Sequence, residues 1–159
     1  MDSNASQAAV ITAVEKQNKR PRYNIYINDQ YAFSVHEDVL VKHRLLKGTE
    51  VRQDELERIM RDEEFNHAYT AAVKYLGRKA RTAKEVMWKL KQQGHDEELA
   101  EQIISRLLAE HYLNDREYAA AFAKYHLVAH KKSKKWLAYK LAEKGIAQED
   151  IDAALDAFD

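Results

Sequence analysis

Shifted by 51 residues, the C-terminal part of the chain lies on itself without a gap. Ala68 meets Ala119, Ala72 meets Ala123, and Leu76 meets Leu127. Thr82 falls on Ser133, Lys89-Leu90 on Lys140-Leu141, and Gly94 on Gly145, while Ile104 and Leu107 meet Leu155 and Phe158. Caps, apolar positions and breaker glycines thus return together. That is the signature of stacked supersecondary units that bury their apolar faces against one another. Each unit reads as three helices. In the first, a helix ends around Arg78 to Arg81, and Thr82 with Glu85 forms a capping box for the next, which Gly94 stops. Asp96 or Glu97 opens the third, with Leu99, Ile103, Ile104 and Leu107 as its apolar stripe. Asn114 with Glu117 starts the second unit, which runs through Ser133 and Gly145 to Ile151, Ala154, Leu155 and Phe158.

The front of the chain has a different period. Tyr23, Ile25 and Ile27 alternate with Asn24, Tyr26 and Asn28, and the alternation resumes at Tyr31, Phe33 and Val35. Asn28-Asp29-Gln30 between them can reverse tightly, so a β-hairpin is expected. Val10 to Val14 offers a third strand, and Glu37 to Leu46 a short covering helix ended by Lys47-Gly48. Asp54 with Glu57 has capping-box spacing before Leu56, Ile59 and Met60. The expected fold is mainly α: tandem three-helix, helix-turn-helix-like repeats behind a small α+β domain containing the hairpin. The domains expected are 1–60, 61–113 and 114–159.

With four Gly and one Pro the chain has little turn material, which agrees with helices. It has no Cys, so neither a disulfide framework nor a thiolate metal site is available, and a reducing, cytoplasmic setting fits. No apolar run approaches the roughly 18 residues of a membrane span. The opening MDSNASQ lacks the order of a secretory signal and reads as a flexible end.

The net charge is zero, yet charge is sorted by helix. Lys74 to Lys91 holds seven basic residues and one acidic; Gln92 to Ala123 holds two basic and seven acidic. Lys124 to Lys144 again holds seven basic and one acidic, and Gly145 to the end five acidic and no basic. The middle helices are therefore basic and the third helices acidic. A single block of this kind is ordinarily a solvated face. Two equivalent blocks on stacked repeats instead suggest a basic stripe beside an acidic one, suited to phosphates or an acidic protein groove. The contact surface expected on this ground is Arg78, Lys79, Arg81, Lys84, Lys131, Lys132, Lys134 and Lys135. Trp136, beside the densest run, is either a core residue or an interface anchor.

Nothing asks for catalysis. The chain has no GxGxxG or P-loop, no Cys nucleophile and no Ser in an elbow context. His126 and His130 are four apart but have neither an HExxH pattern nor an acidic third ligand, so no metal and no cofactor are expected. Sequence-specific duplex reading is the weaker rival. The helix that would enter the groove opens with Asp96, Glu97 and Glu98 and adds Glu101, which phosphates repel.

The segment YLGRKARTAKEV at 75–86, then Lys89-Leu90, Gly94 and HYLNDREYA at 111–119, resembles the first-repeat signature of the RecX recombination regulators. KLAEKGI at 140–146 is similar to their second repeat. RYNIYIN at 22–28 with YAFSVHEDV at 31–39 resembles the extra N-terminal domain of the Gram-positive branch. The resemblance implies a non-enzymatic, monomeric protein that binds the RecA recombinase filament on single-stranded DNA. It would inhibit or modulate RecA ATPase, strand exchange and coprotease activity in recombination, DNA repair and the SOS response. The alternative is a DNA-binding module acting independently of RecA. Two departures stand out. Ser133-Lys134 replaces the Gly-Pro pair usual before the middle helix of the second repeat, and the branch carries further repeat material, which implies a fragment or a short form here.

Overall fold

The computed structural model describes residues 9–158, and the expectation for the first residues lies outside them. The chain divides into two compact units, between His67 and Ala68.

The first unit is built on strands β1 (Ala9–Lys16), β2 (Arg22–Ile27), β3 (Gln30–His36) and β4 (Glu50–Val51), with helix α1 (Glu37–Lys42) after β3. The order is β3-β2-β1-β4, and every pairing is antiparallel. Ile27 pairs with Gln30 across Asn28 and Asp29, whose φ angles are 53° and 63°. A two-residue loop with both centres left-handed matches the strand twist, and Asn and Asp tolerate it. Ile25 and Val35 point into the core with Ile11, Val39, Leu45, Val51 and Ile59. On the opposite face Asn24, Ser34 and Gln17 hydrogen-bond one another: the Asn24 carbonyl accepts from Ser34 at 2.7 Å and from Gln17 at 2.8 Å. Polar groups half out of water are thereby satisfied.

Two expectations are corrected here. Helix α1 ends at Lys42, because Arg44 takes a left-handed φ of 51° and turns the chain early. Gly48, at φ 91°, serves the turn into β4 instead. Asp54 does not cap the next helix, α2 (Gln53–Arg78), but sits inside its first turn with Glu55. The early part of α2 is tied to the sheet by an ion pair and a hydrogen bond. Glu63 lies 2.7 Å from Arg22 and accepts from the His36 amide at 2.9 Å.

The second unit holds the repeats. The end of α2 is followed by α3 (Ala83–Gln92) and α4 (Glu97–Ala109); then come α5 (Asp115–Lys124), α6 (Lys134–Glu143) and α7 (Gln148–Asp156). The fold is mainly helical, with tandem three-helix repeats behind a domain containing a sheet. Repeat-equivalent positions behave alike. Val86 and Leu137, Leu90 and Leu141, Ala68 and Ala119, and Ala72 and Ala123 are all buried. Thr82, Asp96, Asn114 and Ser133 each cap the helix that follows, and Gly94 and Gly145 take φ 94° and 84° at the ends of α3 and α6. The Tyr69 hydroxyl bonds Glu110, joining the two ends of the first repeat. Burial and that bond push the tyrosine up to about 12.

Candidate binding surface of the helical repeats

Arg78 closes α2, and Lys79 follows it in the loop; both are exposed. Arg81 is half-buried. Its guanidinium lies 4.7 Å from the Tyr75 ring centroid and 3.6 Å from Glu85, and its Nε has no hydrogen-bond partner among the described residues. Lys84 donates to the carbonyl of Glu143 at 3.2 Å. In the second repeat Lys131, Lys132, Lys134 and Lys135 are all exposed, in the loop before α6 and its first turn. Lys132 rests 5.1 Å from the Trp136 ring, and Lys134 bonds the carbonyl of Phe158. Arg81 and Lys132, like Lys84 and Lys135, are repeat-equivalent. The two halves of the expected surface therefore occupy matching places, but the first half is partly used by the protein itself.

What uses it is the junction between repeats. Thr82 is fully buried; its hydroxyl accepts from the Glu85 amide and donates to the carbonyl of Lys144 at 2.9 Å. The Ala83 amide donates to Asp115 at 3.0 Å. Desolvation raises Asp115 above its ordinary value, with Asp150 and Glu85 adding repulsion and the Ala83 bond opposing. Lys144 reaches within 4.0 Å of Glu85. A cavity of about 330 Å³ sits here, lined by Tyr75, Arg81, Lys84, Trp88 and Lys144 among others.

A second groove, of about 510 Å³, is lined by Lys79, Arg81, Tyr112, Tyr118, Phe122 and Tyr125 among others. Helix α5 runs into a π turn, Tyr125–Ala129, which leaves Tyr125 57% exposed. His126 is turned inward, its ring centroid 4.2 Å from Phe122 and 5.1 Å from Trp136. Burial depresses its pKa, and the charges of His130, Lys132 and Lys144 lower it further. Trp136 is half-buried, stacked at 6.3 Å on Phe122 and packed on the core of the second repeat. Trp136 thus packs on the core while part of it stays exposed beside Lys132. Among the described residues no group of three His, Asp or Glu side chains could hold a metal.

Comparison with known proteins follows the same division of the chain. Residues 9–52 match the regulatory protein RecX N-terminal domain, 68–107 the first RecX three-helix domain, and 114–155 the second. A crystal structure of regulatory protein RecX superimposes with a TM-score of 0.87 at 34% identity, covering 95% of this chain and 74% of that one. This chain belongs to the RecX family of regulatory proteins. RecX from Lactobacillus salivarius is a more distant structural match, with a TM-score of 0.59 at 28% identity over 62% of this chain and 64% of the other. Regulatory protein RecX of Lactobacillus johnsonii is 36% identical over 146 residues, and that of Bacillus cytotoxicus 34% over 155. The chain spans 54% and 57% of the length of these two relatives.

In this RecX-family chain the sequence reading missed the inter-repeat junction and the aromatic groove. The groove had a signal, since Tyr118, Phe122 and Tyr125 fall on one helical face. The junction had little, because two of its acceptors are backbone carbonyls.

Proposed function

We propose that this RecX-family chain regulates the RecA recombinase by binding its filament on single-stranded DNA. Binding, without catalysis, lowers RecA ATP hydrolysis and with it strand exchange and coprotease activity; the setting is the cytoplasm and the protein acts as a monomer. The observation that carries this reading is the repeated charge pattern. Each three-helix module carries a basic middle helix beside an acidic third helix, and the second-repeat lysines are exposed to meet a partner. A groove lined by protein and phosphates complements such paired stripes.

Titration into RecA, single-stranded DNA and ATP is expected to lower ATP hydrolysis; an unchanged rate sinks the proposal. Reversing Lys131, Lys132, Lys134 and Lys135 to Glu is expected to weaken filament binding. If these lysines neutralise phosphates, each lysine removed makes the log–log salt dependence about 0.7 shallower. These four are the better test, because Lys84 also holds the repeats together and Arg81 is engaged by Tyr75 and Glu85 within the first repeat. The second reading, binding to DNA without RecA, rests on the same exposed lysines. Binding at fixed salt to naked single strands, duplex and RecA-coated strands separates the two.

A further inference from the structure

Position 88 and its repeat equivalent, position 139, hold Trp88 and Tyr139, and each side chain is 63% exposed. A single exposed aromatic is ordinary on a soluble protein. Two at one repeat position, neither covering its own core, form a surface motif. Their surroundings also repeat. Lys84 and Lys135 stand one helical turn before them, and Lys89 and Lys140 directly after. The Lys140 ammonium lies 6.0 Å from the Tyr139 ring centroid. The acidic residues nearby are already engaged: Glu85 with Thr82 and Arg81, and Glu143 with Lys140 at 3.6 Å.

The junction ties together the two helices that carry these motifs. The first turn of α3 is bonded to the last turn of α6 through Thr82 and Lys84. Trp88 lines the cavity at that junction together with Lys84 and Lys144. Lys84, Trp88 and Lys144 thus line one cavity, while Lys135 and Tyr139 stand one helical turn apart on α6. We propose that Trp88 and Tyr139 are base-stacking residues for single-stranded nucleic acid, with the flanking lysines taking its phosphates. An unpaired strand offers both chemistries at once, since its bases are free to lie on rings while its backbone tracks cations. A duplex keeps its bases stacked inside. An aromatic hot spot for a protein partner sits in an interface core depleted of charge, and here lysines surround each ring. This deepens the filament reading and rests on it for the ligand, single-stranded DNA.

The test uses the full chain, a thymidine strand of about 20 nucleotides and an abasic strand of equal length, so that several bases are engaged at once. Fluorescence anisotropy is read over a salt series. The parent is expected to prefer the thymidine strand. Trp88→Ala and Tyr139→Ala are each expected to lower affinity for it roughly 5- to 150-fold with the salt slope unchanged. Tyr139→Trp should keep the parent's affinity, and thermal melts by circular dichroism confirm that the variants fold. Equal affinity for the two strands, alanine variants that bind like the parent, or no binding to either strand overturns the proposal. So does a loss confined to RecA-coated strands, which marks the face as a protein dock. Inhibition of RecA ATPase is measured on the same proteins. Inhibition that persists without base preference removes the stacking and leaves the filament reading standing; base preference without inhibition does the reverse.

Discussion

Gly145 and Gly94 close equivalent helices with left-handed backbones, but their surroundings differ. A Cβ on Gly94 would meet nothing within 4 Å, whereas one on Gly145 would fall 2.6 Å from the Cβ of Lys84. That atom is anchored to the backbone of α3 and cannot swing aside. Gly94→Ala should therefore cost only the left-handed backbone, about 1–2 kcal/mol. Gly145→Ala adds a steric clash at the junction, and overpacking typically costs about 1–3 kcal/mol more. Thermal or urea unfolding of the two variants isolates the clash. Equal losses would mean that Lys84 does not hold the repeats at this point.

Among elements, the caps show what the repeat keeps and what it changes. Thr82 and Ser133 each accept from the amide three residues on, but only Thr82 also donates across the junction, to Lys144. Ser133→Ala should cost about 1 kcal/mol, the usual value of a cap. Thr82→Ala also leaves the Lys144 carbonyl without its donor in a buried place, so about 2–4 kcal/mol is expected, read by the same unfolding measurement. Both caps were legible in the sequence, as were the hairpin at Asn28-Asp29 and the 51-residue period, because each depends on side chains with a local preference. Three elements were not. Helix α1 stops at a left-handed Arg44 that carries no glycine to announce it. Strand β4 is two residues long, too short for a period, and exists through its pairing with Ala9 and Val10. The π turn at Tyr125–Ala129 leaves the apolar pattern of α5 unbroken. The site divides the same way. Clustered charge showed where cations lie, while the engagement of Lys84 with the Glu143 carbonyl left no mark, since any residue supplies a carbonyl.

For the whole molecule, acid should act on the two units with opposite sign. In the first, partial burial pushes Asp62 up, but hydrogen bonds from Lys42 and His43, at 2.8 and 2.7 Å, outweigh it and hold the carboxyl below its ordinary 3.8. A depressed acid stabilises the fold fully above its unfolded value, and the contribution is lost as pH falls through the folded value. In the second unit, desolvation holds Asp115 above 3.8, so its ionisation costs stability at neutral pH, and that cost is gone once pH drops below the unfolded value. Asp62→Asn should therefore destabilise the first unit at pH 7, with the difference narrowing as pH falls below 3.8. Asp115→Asn keeps an oxygen to accept from the Ala83 amide while removing the charge. It should stabilise the second unit at pH 7 and leave it unchanged well below the ordinary carboxylate value of 3.8. Hydrogen exchange resolved by peptide reads each unit separately, and tryptophan emission follows the second, which holds both Trp88 and Trp136. Shifts of the same sign in the two variants at pH 7 would refute the opposed roles of these carboxylates.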